Sequence, residues 1–110
     1  MTDKTTLETL RRRYLARLAP RQVAPNARQF FVGVLTNKDM ADVGLNPADR
    51  VGVEAEVMQS CLIDALLVRE LVLERGKEEV QPMGMVTDAG LYWAKQNPPD
   101  DAGPKAGEGD

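Results

Sequence analysis

Leu7, Leu10, Tyr14, Leu15 and Leu18 recur at three- and four-residue steps, which places them on one side of an α-helix. Thr5 followed by Glu8 has the form of a capping box, and Pro20 cannot supply the next helical N–H, so the pattern predicts a helix over residues 6–19. Arg11, Arg12, Arg13 and Arg17 cover much of its opposite side, either as a solvated surface or as a contact for phosphate or an acidic protein. Beyond Pro25, Asn26 is placed to cap a second helix with Phe30, Phe31, Val34 and Leu35 on one side. The letters FFVGVL also suit a short strand, but helix is favoured because no neighbouring segment offers an alternating partner. Thr36 with Asp39 predicts another short helical turn through Met40 and Ala41, stopped by Gly44.

Two short helices in succession invite a helix-turn-helix reading of residues 38–53. Against it, Ala41 and Gly44 stand three apart rather than four, and Asp39, Asp42, Asp49 and Glu54 would meet phosphates with the wrong sign. The dominant expectation is one long helix over residues 46–76. Asn46 and Pro47 open it, Asp49 suits its positive end, and Gly76 closes it. Val51, Ala55, Met58, Leu62 and Ala65 form a four-three seam continued by Arg69 and Val72, while Ile63, Leu66, Leu67, Val68, Leu71 and Leu73 spread apolar surface nearly all round its second half. A rod of about 40 Å that is apolar on every side needs cover. This predicts a homo-oligomer with Met58, Leu62, Ala65, Leu66 and Val72 at the interface; burial of the helix among strands of its own chain is the alternative.

Thr87 caps a final short helix with Leu91, Tyr92 and Trp93, which serve either as a partner-binding anchor or as packing on the chain's own core. From Asn97 the sequence is Pro, Gly and acid, which predicts disorder. The expected fold is therefore all-α: a basic N-terminal helix over 1–21, a helical oligomerisation core over 22–96 built on one long central helix with a short extended or helical C-terminal piece, and a disordered acidic tail over 97–110.

Composition narrows the function classes. The 110 residues fit one domain, no apolar run is long enough to span a bilayer, and the polar N-terminus lacks a signal peptide's apolar stretch, so a cytoplasmic protein is expected. Histidine is absent and the one cysteine, Cys61, lies in an apolar stretch as a buried small hydrophobe. Those facts, with no GxxxxGK[ST] or GxGxxG loop, point to a protein that is not an enzyme and holds no metal or cofactor. Chemistry by Asp and Glu alone is left without a marked pair. The net charge of -3 conceals a gradient: Lys4 and five arginines against Asp3 and Glu8 give residues 1–21 a charge of +4, and Lys105 against four acids gives residues 97–110 a charge of -3.

The order of parts, with ADRVGVEAEVMQSCLIDALLVRELVLERGKEEVQ followed by PMGMVTDAGLYWAKQNPP, resembles the small terminase subunits of tailed bacteriophages and gene transfer agents over about residues 20–99. The resemblance implies a DNA-packaging adaptor whose helices assemble a ring through Leu62, Leu66 and their neighbours. It implies DNA contact by Arg11, Arg12, Arg13 and Arg17, and contact with the large terminase ATPase subunit around Leu91, Tyr92 and Trp93. The acidic balance favours weak, sequence-tolerant DNA binding. A different class is a protein-protein adaptor or transcriptional regulator that never touches DNA.

Overall fold

The computed structural model describes residues 2–73 and 80–100, without the side chains of 71–73, 80 and 81. In chain order it contains helix α1 (Lys4–Leu18), strand β1 (Gln29–Phe30), helix α2 (Asn37–Asp42), helix α3 (Arg50–Ile63), strands β2 (Leu67–Leu73) and β3 (Val80–Val86), and helix α4 (Asp88–Gln96). The three strands form an antiparallel sheet in the order β1-β3-β2. The fold is thus mixed α and β, which corrects the all-α expectation.

The first helix begins two residues earlier than its capping box suggested. Asp3 is its N-cap, accepting from the backbone N–H of Thr6 at 2.9 Å and from the Thr6 hydroxyl. Its stripe is the core: Leu10, Tyr14, Leu15 and Leu18 are fully buried, together with Phe31, Met40, Val57 and Cys61. α1 packs on α3 and α4, so the basic N-terminal segment belongs to the same core as the rest. The buried Tyr14 hydroxyl donates to the Phe31 carbonyl and fastens the next segment to it.

The helix expected from Asn26 is not formed. Gln29 pairs with Gly84 and Phe30 with Met83, and the Phe31 N–H donates to the Pro82 carbonyl at 3.1 Å. The strand partner exists, but it lies more than fifty residues away in the chain, where a search of neighbouring segments does not reach.

The long helix is likewise corrected. Asn46 caps a 3-10 turn over Pro47–Asp49, and α3 then runs only to Ile63. Ala65 takes the left-handed conformation at φ 59°. Its N–H donates to the Leu62 carbonyl at 3.1 Å and the Leu66 N–H to the Cys61 carbonyl at 2.9 Å, the two bonds of a Schellman motif. Alanine there carries no visible stop signal. The letters after it, LVRELVL, have good helix propensity, yet seven cross-strand pairs from Leu67 with Val86 to Leu73 with Val80 override it. Gly76, expected as the helix end, and the tail from Asp101 lie outside the described residues.

With the rod gone, the surface proposed for oligomerisation disperses. Met58, Leu66 and Leu67 are buried in the chain's own core, Leu62 packs against that core, Ala65 is exposed at the turn, and the Val72 side chain lies outside the described set. Leu66 and Leu67 are thus sheltered within the chain, while Ile63 and Val68 remain exposed.

Two glycines let the layers close. A Cβ on Gly84 would sit 1.8 Å from the Val68 carbonyl oxygen and 2.9 Å from the Phe31 ring, and one on Gly90 would sit 2.1 Å from the Leu66 carbonyl oxygen. Each position admits no side chain without moving backbone.

Because Ala65 holds a conformation that glycine enters without penalty, Ala65→Gly is expected to raise stability by about 1 kcal/mol. A urea unfolding midpoint that falls in the variant would contradict the assignment of the helix stop.

Candidate docking face

Two buried carboxylates position α2 and α3. The short helix expected from Thr36 and Asp39 is present, and the two residues form its capping box: the Asp39 N–H donates to the Thr36 hydroxyl oxygen at 3.2 Å, and the Thr36 N–H donates to the Asp39 carboxylate at 2.7 Å. Asp39 is 2 % exposed and also receives Arg13 at 3.1 Å and Arg17 at 2.8 Å, so it caps its own helix while locking that helix to α1. Burial pulls the Asp39 carboxyl upward, and the bonds from Arg17 and Thr36 more than reverse this, holding it far below the ordinary value of 3.8. Lys38 and Arg13 hold the neighbouring Asp42 below that value as well.

Glu54, in α3, is 3 % exposed and accepts three successive backbone N–H groups, from Gly33 at 2.8 Å, Val34 at 2.8 Å and Leu35 at 2.6 Å. Gly33, at φ 72°, bends the chain so that the three donors converge. This nest fixes the turn after β1 against α3. Asp39 and Glu54, which a DNA-reading helix-turn-helix would have turned toward phosphate, are therefore interior anchors.

The four arginines expected to contact DNA are engaged within the chain to different degrees. Arg11 bonds Asp64 at 2.7 Å, and its guanidinium lies 4.6 Å from the centre of the Trp93 ring. Arg13 is 4 % exposed and meets Asp39, Asp42 and, at 3.5 Å, Asp100. Arg17 meets Asp39 and the Val34 carbonyl. Arg12, 3.8 Å from Glu8, keeps the most exposed side chain of the four, at 38 %. The structure does not gather them into one outward patch.

Thr87 caps α4 as its spacing predicted, accepting the Gly90 N–H at 3.0 Å. The three residues assigned to a partner divide: Tyr92 is 68 % exposed, while Leu91 and Trp93 pack partly against the core.

What faces outward most conspicuously is α3. Its inner side holds Val53, Glu54, Val57, Met58 and Cys61, which leaves Val51, Gly52, Ala55, Gln59 and Ile63 as an outer stripe. Val51 and Ile63 are 71 % and 72 % exposed, and nothing lies above Gly52. Apolar grooves flank the stripe, one bordered by Phe31, Val32, Met58 and Pro82, the other by Leu7 and Ile63. Asp49 and Glu56 edge it, the latter accepting from Thr2 at 3.0 Å. Sequence reasoning missed this stripe because it assigned Val51 and Ala55 to the seam of a rod and Ile63 to the rod's apolar circumference; the four-residue spacing of Val51, Ala55, Gln59 and Ile63 was the available signal.

The Cys61 thiol is fully buried and burial pushes it up to about 11, away from nucleophile range. Among the described residues no group of His, Cys, Asp and Glu is placed to hold a metal ion, and no helix is long and apolar enough to cross a membrane. No protein-family model matches the chain, and comparison with curated proteins and with solved structures gave no match.

Replacing Asp39 by Asn leaves two arginines partly uncompensated in the interior, at an expected cost of about 3 kcal/mol in urea unfolding at neutral pH. Since the folded carboxyl titrates below the unfolded one, its stabilisation is complete above 3.8 and is lost as the pH falls beneath that value. The wild-type protein should lose stability faster than Asp39→Asn over that acid range; parallel curves would remove Asp39 from its assigned role.

Proposed function

We propose that the chain is a winged helix-turn-helix module that docks a partner protein through the outer face of α3 and performs no catalysis. The order of elements supports the architectural part. A helix and a short strand precede two helices joined by a turn, and a β-hairpin follows whose second strand pairs with the first strand. Gly44, at φ 76°, makes that turn, with its N–H donating to the Ala41 carbonyl at 3.0 Å.

In such a module the second helix of the pair is the reading element. The observation that carries the functional reading is the chemistry of its outward side: Val51, Ala55 and Ile63 edged by Asp49 and Glu56, with Arg50 the one basic group at its border and no lysine or arginine in the stripe itself. DNA affinity rests on neutralising phosphates with basic side chains, so this surface suits protein rather than duplex. The six residues between β2 and β3 add Arg75 and Lys77 against three glutamates, which leaves the balance acidic. An exposed apolar stripe with polar edges is the usual mark of a protein contact. Charge complementarity selects a partner segment with an apolar side flanked by lysine or arginine.

The packaging role implied by small terminase subunits drew its ring from the long helix and its DNA contact from the arginines of α1. Neither feature supports it now, because the helix is divided and three of those arginines bond internal acids.

A photo-crosslinking residue placed at Ala55 in the producing cell is expected to capture a discrete protein, with no equivalent adduct from the same probe at the exposed Lys95. Identical patterns from the two positions, or none, would overturn the docking reading. In parallel, fluorescence anisotropy with duplex DNA at about 50 mM salt should show no saturable micromolar binding. Tight binding that weakens steeply with added salt would favour a DNA-reading role instead.

A further inference from the structure

Between the N-terminal half of α3 and the turn after β1 runs an open groove of about 470 Å³, with Phe31, Val51, Ala55, Met58 and Pro82 on its walls. One cationic group, the guanidinium of Arg50, stands among these apolar side chains. Among the described residues its polar contacts are long: 3.4 Å to the Leu35 carbonyl and 3.8 Å to Glu54. The Glu54 carboxylate is already committed to three backbone N–H groups and has little left to offer Arg50. A guanidinium carries five donors in a planar fork, and the side chain here is 29 % exposed toward the groove.

Glu54 also lines the groove, but its carboxylate is buried and turned to the backbone N–H groups of residues 33–35, so Arg50 is the charged group with side-chain surface left for a ligand. An apolar cleft with few convergent polar groups is the usual form of a site for a small amphiphile, in which the walls supply affinity and the charge fixes orientation. We infer that this groove binds a small apolar monocarboxylate, with the hydrocarbon body against Phe31, Met58 and Pro82 and the carboxylate accepting from Arg50. The fork geometry selects a planar carboxylate. A multiply charged phosphate ester would be poorly served by apolar walls and one cation. An amine would find no available anion, since Glu54 is buried and occupied. This inference stands on the groove and Arg50 and does not need the partner proposed for the outer stripe, although Val51 and Ala55 border both surfaces.

The probe is decanoate, below its micelle concentration, titrated into the full chain and followed by calorimetry and by two-dimensional amide NMR. Decanol and decylamine serve as neutral and cationic counterparts with the same body. Decanoate should bind about tenfold more tightly than decanol, with shifts concentrated at residues 31–35 and 50–58, and decylamine more weakly than either. Arg50→Met should lower decanoate affinity to that of decanol while leaving decanol unchanged. Absence of decanoate binding at millimolar concentration, equal affinity for decanoate and decanol in the wild-type chain, or shifts centred elsewhere would each overturn the assignment. The wild-type comparison of the three ligands decides the matter even if Arg50→Met fails to fold.

Discussion

Helix α2 has six residues, too few to persist unaided, and Asp39 is what makes it a fixed element. One carboxylate closes the first turn of its own helix and takes two arginines from α1, so the cap and the tertiary contact are the same group. A second carboxylate does the corresponding work on the other side of the turn. Glu54 gathers the N–H groups of Gly33, Val34 and Leu35, which otherwise have no strand or helix to satisfy them. Between them the two acids set the position of α2, the approach of β1 and the rotation of α3, and therefore which side of α3 faces outward.

That arrangement explains why a basic helix here does not make a basic surface. The positive charge of α1 is drawn toward acids from three other parts of the chain: Asp39 and Asp42 in α2, Asp64 after α3, and Asp100 beyond α4. Each such pair lowers the field available to an approaching phosphate. The Arg11 guanidinium, placed between Asp64 and the Trp93 ring, also ties α4 to the helix that opens the chain. Charge counted along a sequence therefore misjudges surface potential wherever acids far away in the chain fold back onto it.

Local signals were legible in the sequence. The stripe of α1, the Thr36 and Asp39 box, the Asn46 and Thr87 caps and the burial of Cys61 all stand where the spacing put them. Non-local ones were not. β1 is two residues long and acquires its identity only from Met83 and Gly84, and the boundary at Ala65 is a left-handed residue without the glycine that usually announces one. The error at Ala65 then propagated: a helix continued to residue 76 has an apolar circumference, and an apolar circumference demands a second subunit. Once the segment is divided between a helix and a strand, Leu66 and Leu67 are buried by their own chain.

The candidate site lay hidden for a related reason. Val51, Ala55 and Ile63 are unremarkable letters, and nothing in their order says which side of α3 the core will claim. Glu54 decides it: its bonds to the turn after β1 turn Val53, Val57 and Cys61 inward and send Val51, Ala55 and Ile63 out. The same bonds hold Phe31 and Val32 beside α3 and so form one wall of the groove that Arg50 enters. With Glu54 satisfied by backbone donors, Arg50 makes long contacts to it and to Leu35, so a helix carrying a glutamate and an arginine one turn apart does not spend them wholly on each other. An ordinary intrahelical ion pair would have neutralised both groups; the nest at residues 33–35 separates their roles, one acid as an internal anchor and one cation at the mouth of an apolar groove.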